Sequence, residues 1–145
     1  MWVSTKAQYG MRALVEVALG GERPTSLKSV AERQDLSQQY LEQIFATLRR
    51  AGYVESIRGA HGGYRIARPL ADIDALEIVE LLEVSVAPVN WIDDSSSCGH
   101  TGNCSTESLW RRVDGAVREV LGSTTLADLV AERTLLQIEP LPTEF

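Results

Sequence analysis

Apolar residues recur in the first fifty positions at three- and four-residue spacing, and polar caps and glycines divide that run into helices. Tyr9, Ala13, Leu14, Val17 and Ala18 make one stripe, which Ser4 or Thr5 can cap and Gly20-Gly21 ends. A second helix starts at Ser26, presents Leu27, Val30 and Ala31, and breaks at Gln34-Asp35. Ser37 caps a third, with Leu41, Ile44, Phe45 and Leu48 as its apolar stripe and Gly52 as its stop. The pattern then changes: β-prone runs at Tyr53 to Ile57 and Tyr64 to Ala67 flank Arg58-Gly59-Ala60-His61-Gly62-Gly63, which predicts a hairpin with a glycine-rich tip. Gly63 is read as serving only to turn that hairpin.

Pro69 closes the second strand, and Asp74 with Glu77 marks the start of a fourth helix carrying Leu76, Val79 and Leu82. From Val84 to Thr106 the periodicity disappears in a Ser-, Asp- and Gly-rich loop. A long amphipathic helix follows from about Thr106 to Leu121, with Leu109, Trp110, Val113, Ala116, Val117, Val120 and Leu121 on one face and Gly122 as its stop. Thr125 with Asp128 caps a final short helix. The expected fold class is mainly α with a small β-hairpin: a winged helix-turn-helix over residues 1–70, and a sensor loop with a long dimerisation helix over 71–145.

Composition adds a compartment and a charge map. With 145 residues, 44% of them hydrophobic and 23% charged, the chain suits one globular core rather than disorder. It lacks a signal-peptide pattern and a long apolar run, so the expectation is a cytoplasmic protein with no membrane segment. The net charge of -6 hides a split: residues 1–70 hold ten Lys/Arg against six Asp/Glu, and residues 71–145 hold four against fourteen. A basic half joined to an acidic half suggests one surface for an anionic partner, although small domains also show uneven charge without such a role.

The third helix shows what that surface could read. Ser37, Gln38, Gln39, Tyr40, Glu42 and Gln43 lie near its N-terminus, where amides suit adenine and a carboxylate suits cytosine N4, while Arg49 and Arg50 suit phosphate. A solvated helix face would carry similar residues; the hairpin shifts the balance toward DNA. Arg58 beside Gly59, with His61 and Gly62, sets cations on a tip that can approach a polyanion closely. Lys6, Ser26, Lys28 and Tyr64 complete the candidate DNA-contacting set. No nucleophile-base pair, carboxylate pair or phosphate loop stands out, so an enzyme is not expected.

Three stretches together carry a resemblance: Ser37 to Gln43, Leu48 to Val54, and Ser56 to Tyr64. They resemble the Rrf-type family of bacterial winged-helix transcription regulators, the IscR, NsrR and CymR kind. Ser4-Thr5-Lys6 with Tyr9, Leu109-Trp110 and Ser123 to Leu126 extend the likeness over nearly the whole chain. The resemblance implies a homodimer built on Leu109, Trp110, Val113, Val117 and Val120, binding a palindromic operator as a repressor. It also implies a response to iron-sulfur, redox or sulfur status. The competing reading is a protein-interaction module that docks a metabolic enzyme and does not itself bind DNA.

Cluster-binding members hold a 2Fe-2S group through three cysteines, with five residues between successive ones, and a histidine three residues beyond the last. Cys98 and Cys104 match the second and third, but Ile92 stands at the first and Glu107 at the histidine. Gln8 stands where some relatives recruit an acidic ligand from the partner subunit. Two thiolates leave such a cluster incomplete unless His100, Glu107, Asp93, Asp94 or the partner chain contributes. Zinc on Cys98, His100 and Cys104, a reversible Cys98-Cys104 disulfide, and two inert thiols are the other readings.

Overall fold

The computed structural model describes residues 3–83, 87–88 and 105–138. The chain runs α1 (Thr5–Leu19), α2 (Leu27–Gln34), α3 (Gln38–Arg50), β1 (Val54–Ile57), β2 (Gly63–Ile66), a 3-10 turn (Leu70–Asp72), α4 (Ala75–Leu82), α5 (Glu107–Ser123) and α6 (Leu126–Ile138). Among the described residues no helix is long and apolar enough to cross a membrane.

Local capping starts each of the first three helices. Ser4 accepts from the Ala7 N–H, Ser26 from Ser29 and Ser37 from Tyr40, each satisfying a backbone donor that the first helical turn leaves open. α4 has a full capping box between Asp74 and Glu77, and Thr125 and Asp128 bond reciprocally at the start of α6. α3 gives way to the hairpin at Gly52, whose φ of +83° is a left-handed conformation that side chains disfavour.

Three details differ from the sequence reading. α5 continues through Gly122 and ends only at Thr124, because a glycine merely weakens a helix and the next stop signal is extended backbone. α6 is a 13-residue helix rather than a short one. Gly63 does not serve only to turn the hairpin: it lies in β2 opposite Ile57, where a Cβ would stand 2.3 Å from the Thr25 carbonyl oxygen. Its missing side chain lets Tyr64 and Thr25 exchange two backbone hydrogen bonds of 2.9 Å, which fastens the wing to the segment before α2.

One core serves both halves of the chain. Leu14, Val17, Val30, Leu41, Ile44, Phe45 and Leu48 are completely enclosed, and Ile73, Ile78, Leu82 and Leu126 join them from beyond residue 70. Gly10 eases this: a Cβ there would stand 2.6 Å from a Leu82 methyl and 3.2 Å from an Ile44 methyl, so a larger residue would force those side chains to shift. Glu16, 4% exposed, is the one buried carboxylate among the described residues. It accepts from Gln34 at 2.8 Å and from Arg133 at 3.2 Å and pairs with Arg33 at 3.4 Å, joining α1, α2 and α6 through charge-assisted bonds that offset its desolvation.

Candidate nucleic-acid interface

The N-terminal turns of α3 present Gln38, Gln39, Glu42 and Gln43 to solvent, with Ser37 exposed just before them. Opposite them α3 buries its apolar stripe, so the face left to solvent is fixed by the core beneath it. Gln38 donates to Glu42 at 3.4 Å, a long contact that a base edge could replace. Tyr40 is placed differently from its neighbours. Its half-buried ring meets Tyr9 edge-on at 6.2 Å, which gives it a packing role on this face. Arg49 and Arg50 are exposed at the far end of the helix.

A groove of about 420 Å³ brings together residues from three elements: Ser26 and Lys28 from the start of α2, Gln38 and Glu42 from α3, and Gly63 and Tyr64 from β2. The Tyr64 ring packs on Phe45 with centroids 5.2 Å apart, so its body is anchored to the core. Lys6 lies half-buried in the first turn of α1.

The wing tip holds Arg58, Gly59 and His61, all exposed. Between this tip and the α1–α2 connection lies a second cleft of about 530 Å³, lined by Arg23, Arg33, His61, Gly62 and Ser29 among others. Arg23 escaped the sequence reading because nothing local marks it; only the Thr25–Tyr64 backbone pairing carries it to the wing. Arg65 was also missed. It bonds Glu55, its cross-strand partner, and lies 3.7 Å from Glu22; the Glu55 hydrogen bond and charge raise its pKa.

At the base of the wing, Tyr53 is buried with its hydroxyl donating to Glu77 at 3.2 Å. Burial first, and the Glu77 charge second, raise the phenol's pKa above its ordinary 10.0.

α5 presents the opposite case from α3. None of its 17 residues is buried. Leu109 is 43% and Val120 64% exposed, while Trp110, Val113 and Val117 are half-buried. Of the expected ligand residues, Cys98, His100 and Cys104, and likewise Asp93 and Asp94, lie outside the described residues. Glu107 opens α5, and its carboxylate accepts from Arg111 at 3.0 Å. Gln8 donates to the Val3 carbonyl at 2.8 Å. Among the described residues no group of three or more His, Cys, Asp or Glu side chains is arranged to hold a metal ion.

A helix-turn-helix whose reading face opens beside a cationic wing defines a DNA-binding regulator. The comparisons carry this further. The profile of the Rrf2 family, described as iron-dependent transcriptional regulators, matches residues 3–132, and the chain belongs to that family. The HTH-type transcriptional regulator CymR of Bacillus subtilis strain 168 is 44% identical over 132 residues, covering 90% of this chain and 91% of that protein. The solved structure of CymR, the global cysteine regulator of B. subtilis, superposes with a TM-score of 0.77 over 91% of this chain and 98% of that one. IscR of T. potens is 42% identical with a TM-score of 0.73, covering 92% of this chain and 88% of that one. The oxidized form of Staphylococcus aureus CymR is 39% identical with a TM-score of 0.73, covering 90% and 96%. The chain is thus a transcription regulator by family, not an enzyme, and the comparisons give no support to a docking module that has lost DNA binding.

Proposed function

We propose that the chain acts in the cytoplasm as a homodimeric repressor that grips a palindromic operator, with residues 1–70 reading DNA and residues 71–145 pairing subunits and sensing. The observation that carries this is the shared groove: Lys28, Gln38, Glu42 and Tyr64 converge from α2, α3 and β2, and the wing that contributes Tyr64 carries an exposed Arg58 at its tip. Phosphate-seeking cations flank a polar helix face, the arrangement in which backbone contacts position and base contacts specify. The uncovered α5 stripe, centred on Leu109 and Val120, supports pairing about a two-fold axis, which sets two α3 helices for two half-sites. Selection of genomic fragments tests the reading: an enriched palindrome with steeply salt-dependent affinity is expected. If no motif is enriched, the acidic half as a dock for a metabolic enzyme takes its place.

The sensing residues favour thiol chemistry over a bound cluster. Each iron of a 2Fe-2S group needs two protein ligands. The chain offers two cysteines, Ile92 in place of the first, and a Glu107 already held by Arg111, so a cluster would have to draw its remaining ligands from His100, Asp93, Asp94 or the partner chain. Oxidation of Cys98 and Cys104 by a peroxide, with loss of two protons and two electrons to form one S–S bond, fits the donors present. That CymR of S. aureus has been solved in an oxidized form accords with this choice. Anaerobically purified protein should be colourless and free of iron and zinc. Its two thiols should disappear together on mild oxidation, with DNA affinity returning on reduction. Visible absorption that vanishes in Cys98→Ala would instead establish a cluster, and zinc retained by the wild type but lost in His100→Ala would establish a zinc site.

A further inference from the structure

The two feet of the wing meet at Tyr53, immediately before β1, and Arg68, two residues after β2. The Arg68 guanidinium lies over the Tyr53 ring at 4.3 Å and donates to the Ala51 carbonyl at 3.0 Å. The backbone N–H of Tyr53 donates to Leu48, and its carbonyl accepts from Ala67. The phenol hydroxyl remains, and it leaves the wing altogether: its acceptor, Glu77, belongs to α4. Glu77 is itself fixed, because its second carboxylate oxygen accepts the Asp74 N–H at 3.0 Å while its own N–H donates to Asp74 at 2.8 Å.

Two more carboxylates follow at three-residue spacing, Glu80 within α4 and Glu83 at its C-cap. Glu80 accepts from Arg118 of α5 at 2.8 Å, and Glu83 accepts the Ser4 N–H at the start of α1 at 2.6 Å. The eight-residue helix therefore holds the wing and α5 by Glu77 and Glu80, and its C-cap Glu83 holds α1. The wing needs such a support. Its strands are four residues each, only Val54 among them is buried, and an isolated two-stranded hairpin is marginal in water. Its second fixed point is the Thr25–Tyr64 pairing on the inner strand, which leaves rotation about that strand to be set at the foot.

We infer that α4 is the mount of the wing, with Tyr53 and Glu77 as positioning residues whose bond sets the pitch of the hairpin and hence the reach of Arg58. The inference rests on the proposed use of the wing against DNA, and it ties wing pitch to α5 through Glu80 and Arg118.

The test measures Kd for a mixed-sequence duplex against salt concentration, with melting temperature as a control for folding. Tyr53→Phe keeps the ring and its stacking and removes only the hydroxyl. It should weaken binding about three- to tenfold, the size of one lost hydrogen bond. It should also lower the slope of log Kd against log salt by about 0.9, one displaced counterion, as Arg58→Ala should. In an Arg58→Ala background Tyr53→Phe should change nothing further. Glu77→Ala should behave like Tyr53→Phe, whereas Glu77→Gln, whose oxygen can keep the Asp74 cap while its amide N–H donates to the Tyr53 hydroxyl oxygen, should stay near wild type. A wild-type salt slope in Tyr53→Phe, or an effect that adds in full to Arg58→Ala, overturns the joint and leaves the wing reading standing. An unchanged slope in Arg58→Ala itself overturns both.

Discussion

α3 and α5 are both amphipathic helices, yet they meet opposite fates. α3 buries Leu41, Ile44, Phe45 and Leu48 completely, whereas no residue of the longer α5 is buried. The difference is geometric. α3 sits among α1, α2, α4 and the wing, while α5 lies along α4 and leaves Leu109 and Val120 in water. An apolar stripe records that a face is to be buried and does not record by what. On α3 the cover is the chain's own fold, and on α5 the proposed cover is a second copy.

The largest expected effect breaks this comparison at α5. Trp110→Ala with Val117→Asp should give monomers by light scattering. Operator affinity should fall on the order of 10²–10⁴-fold, because two linked half-site contacts become one. A stable wild-type monomer under the same conditions would end the dimer reading. On the α3 side, Phe45→Ala should cost about 3–5 kcal/mol in denaturant unfolding, through lost burial and the cavity left behind. Val120→Ala, measured where the dimer has dissociated, should shift stability by no more than roughly 0.5 kcal/mol. Similar costs for the two substitutions would mean that α5 is covered within one chain after all.

Glu42→Ala sharpens the comparison from the exposed face of α3. It should relax preference at one operator position by about 1–3 kcal/mol and leave binding to mixed sequence nearly unchanged. Uniform weakening across sequences would reassign Glu42 from base reading to general electrostatics. The smallest effect concerns pH. Tyr53 has a raised pKa in the folded chain, so its neutral phenol is favoured there, and the stability this supplies is complete below pH 10.0. Stability should therefore fall as pH rises above 10.0 and through the folded-state pKa. Tyr53→Phe should show less of that alkaline loss when unfolding is followed across the range.

Much of the fold was legible because its signals are local. Ser4, Ser26, Ser37, Asp74 with Glu77, and Thr125 with Asp128 all cap the helices their positions announce, since a cap closes a bond to a backbone donor within three residues. The hairpin, the order of elements and the polar face of α3 followed from periodicity and glycine placement in the same way. Gly122 misled because a helix tolerates a glycine whenever its neighbours continue the ladder.

The sequence by itself determined the helices, the wing, the charge division and the polar face of α3 proposed to read DNA, for these depend on neighbours a few positions apart. Only the tertiary structure decided that Gly63 lies against Thr25, that Arg23 shares a cleft with His61, that Glu16 binds Arg133, and that Tyr53 hangs on Glu77. Those partners are separated by 24 to 117 positions in the last two cases, and no periodicity links them. They meet because the enclosed core fixes where each helix lies, and the close approach of α1 to α4 at Gly10 is a property of that packing rather than of any local run of residues.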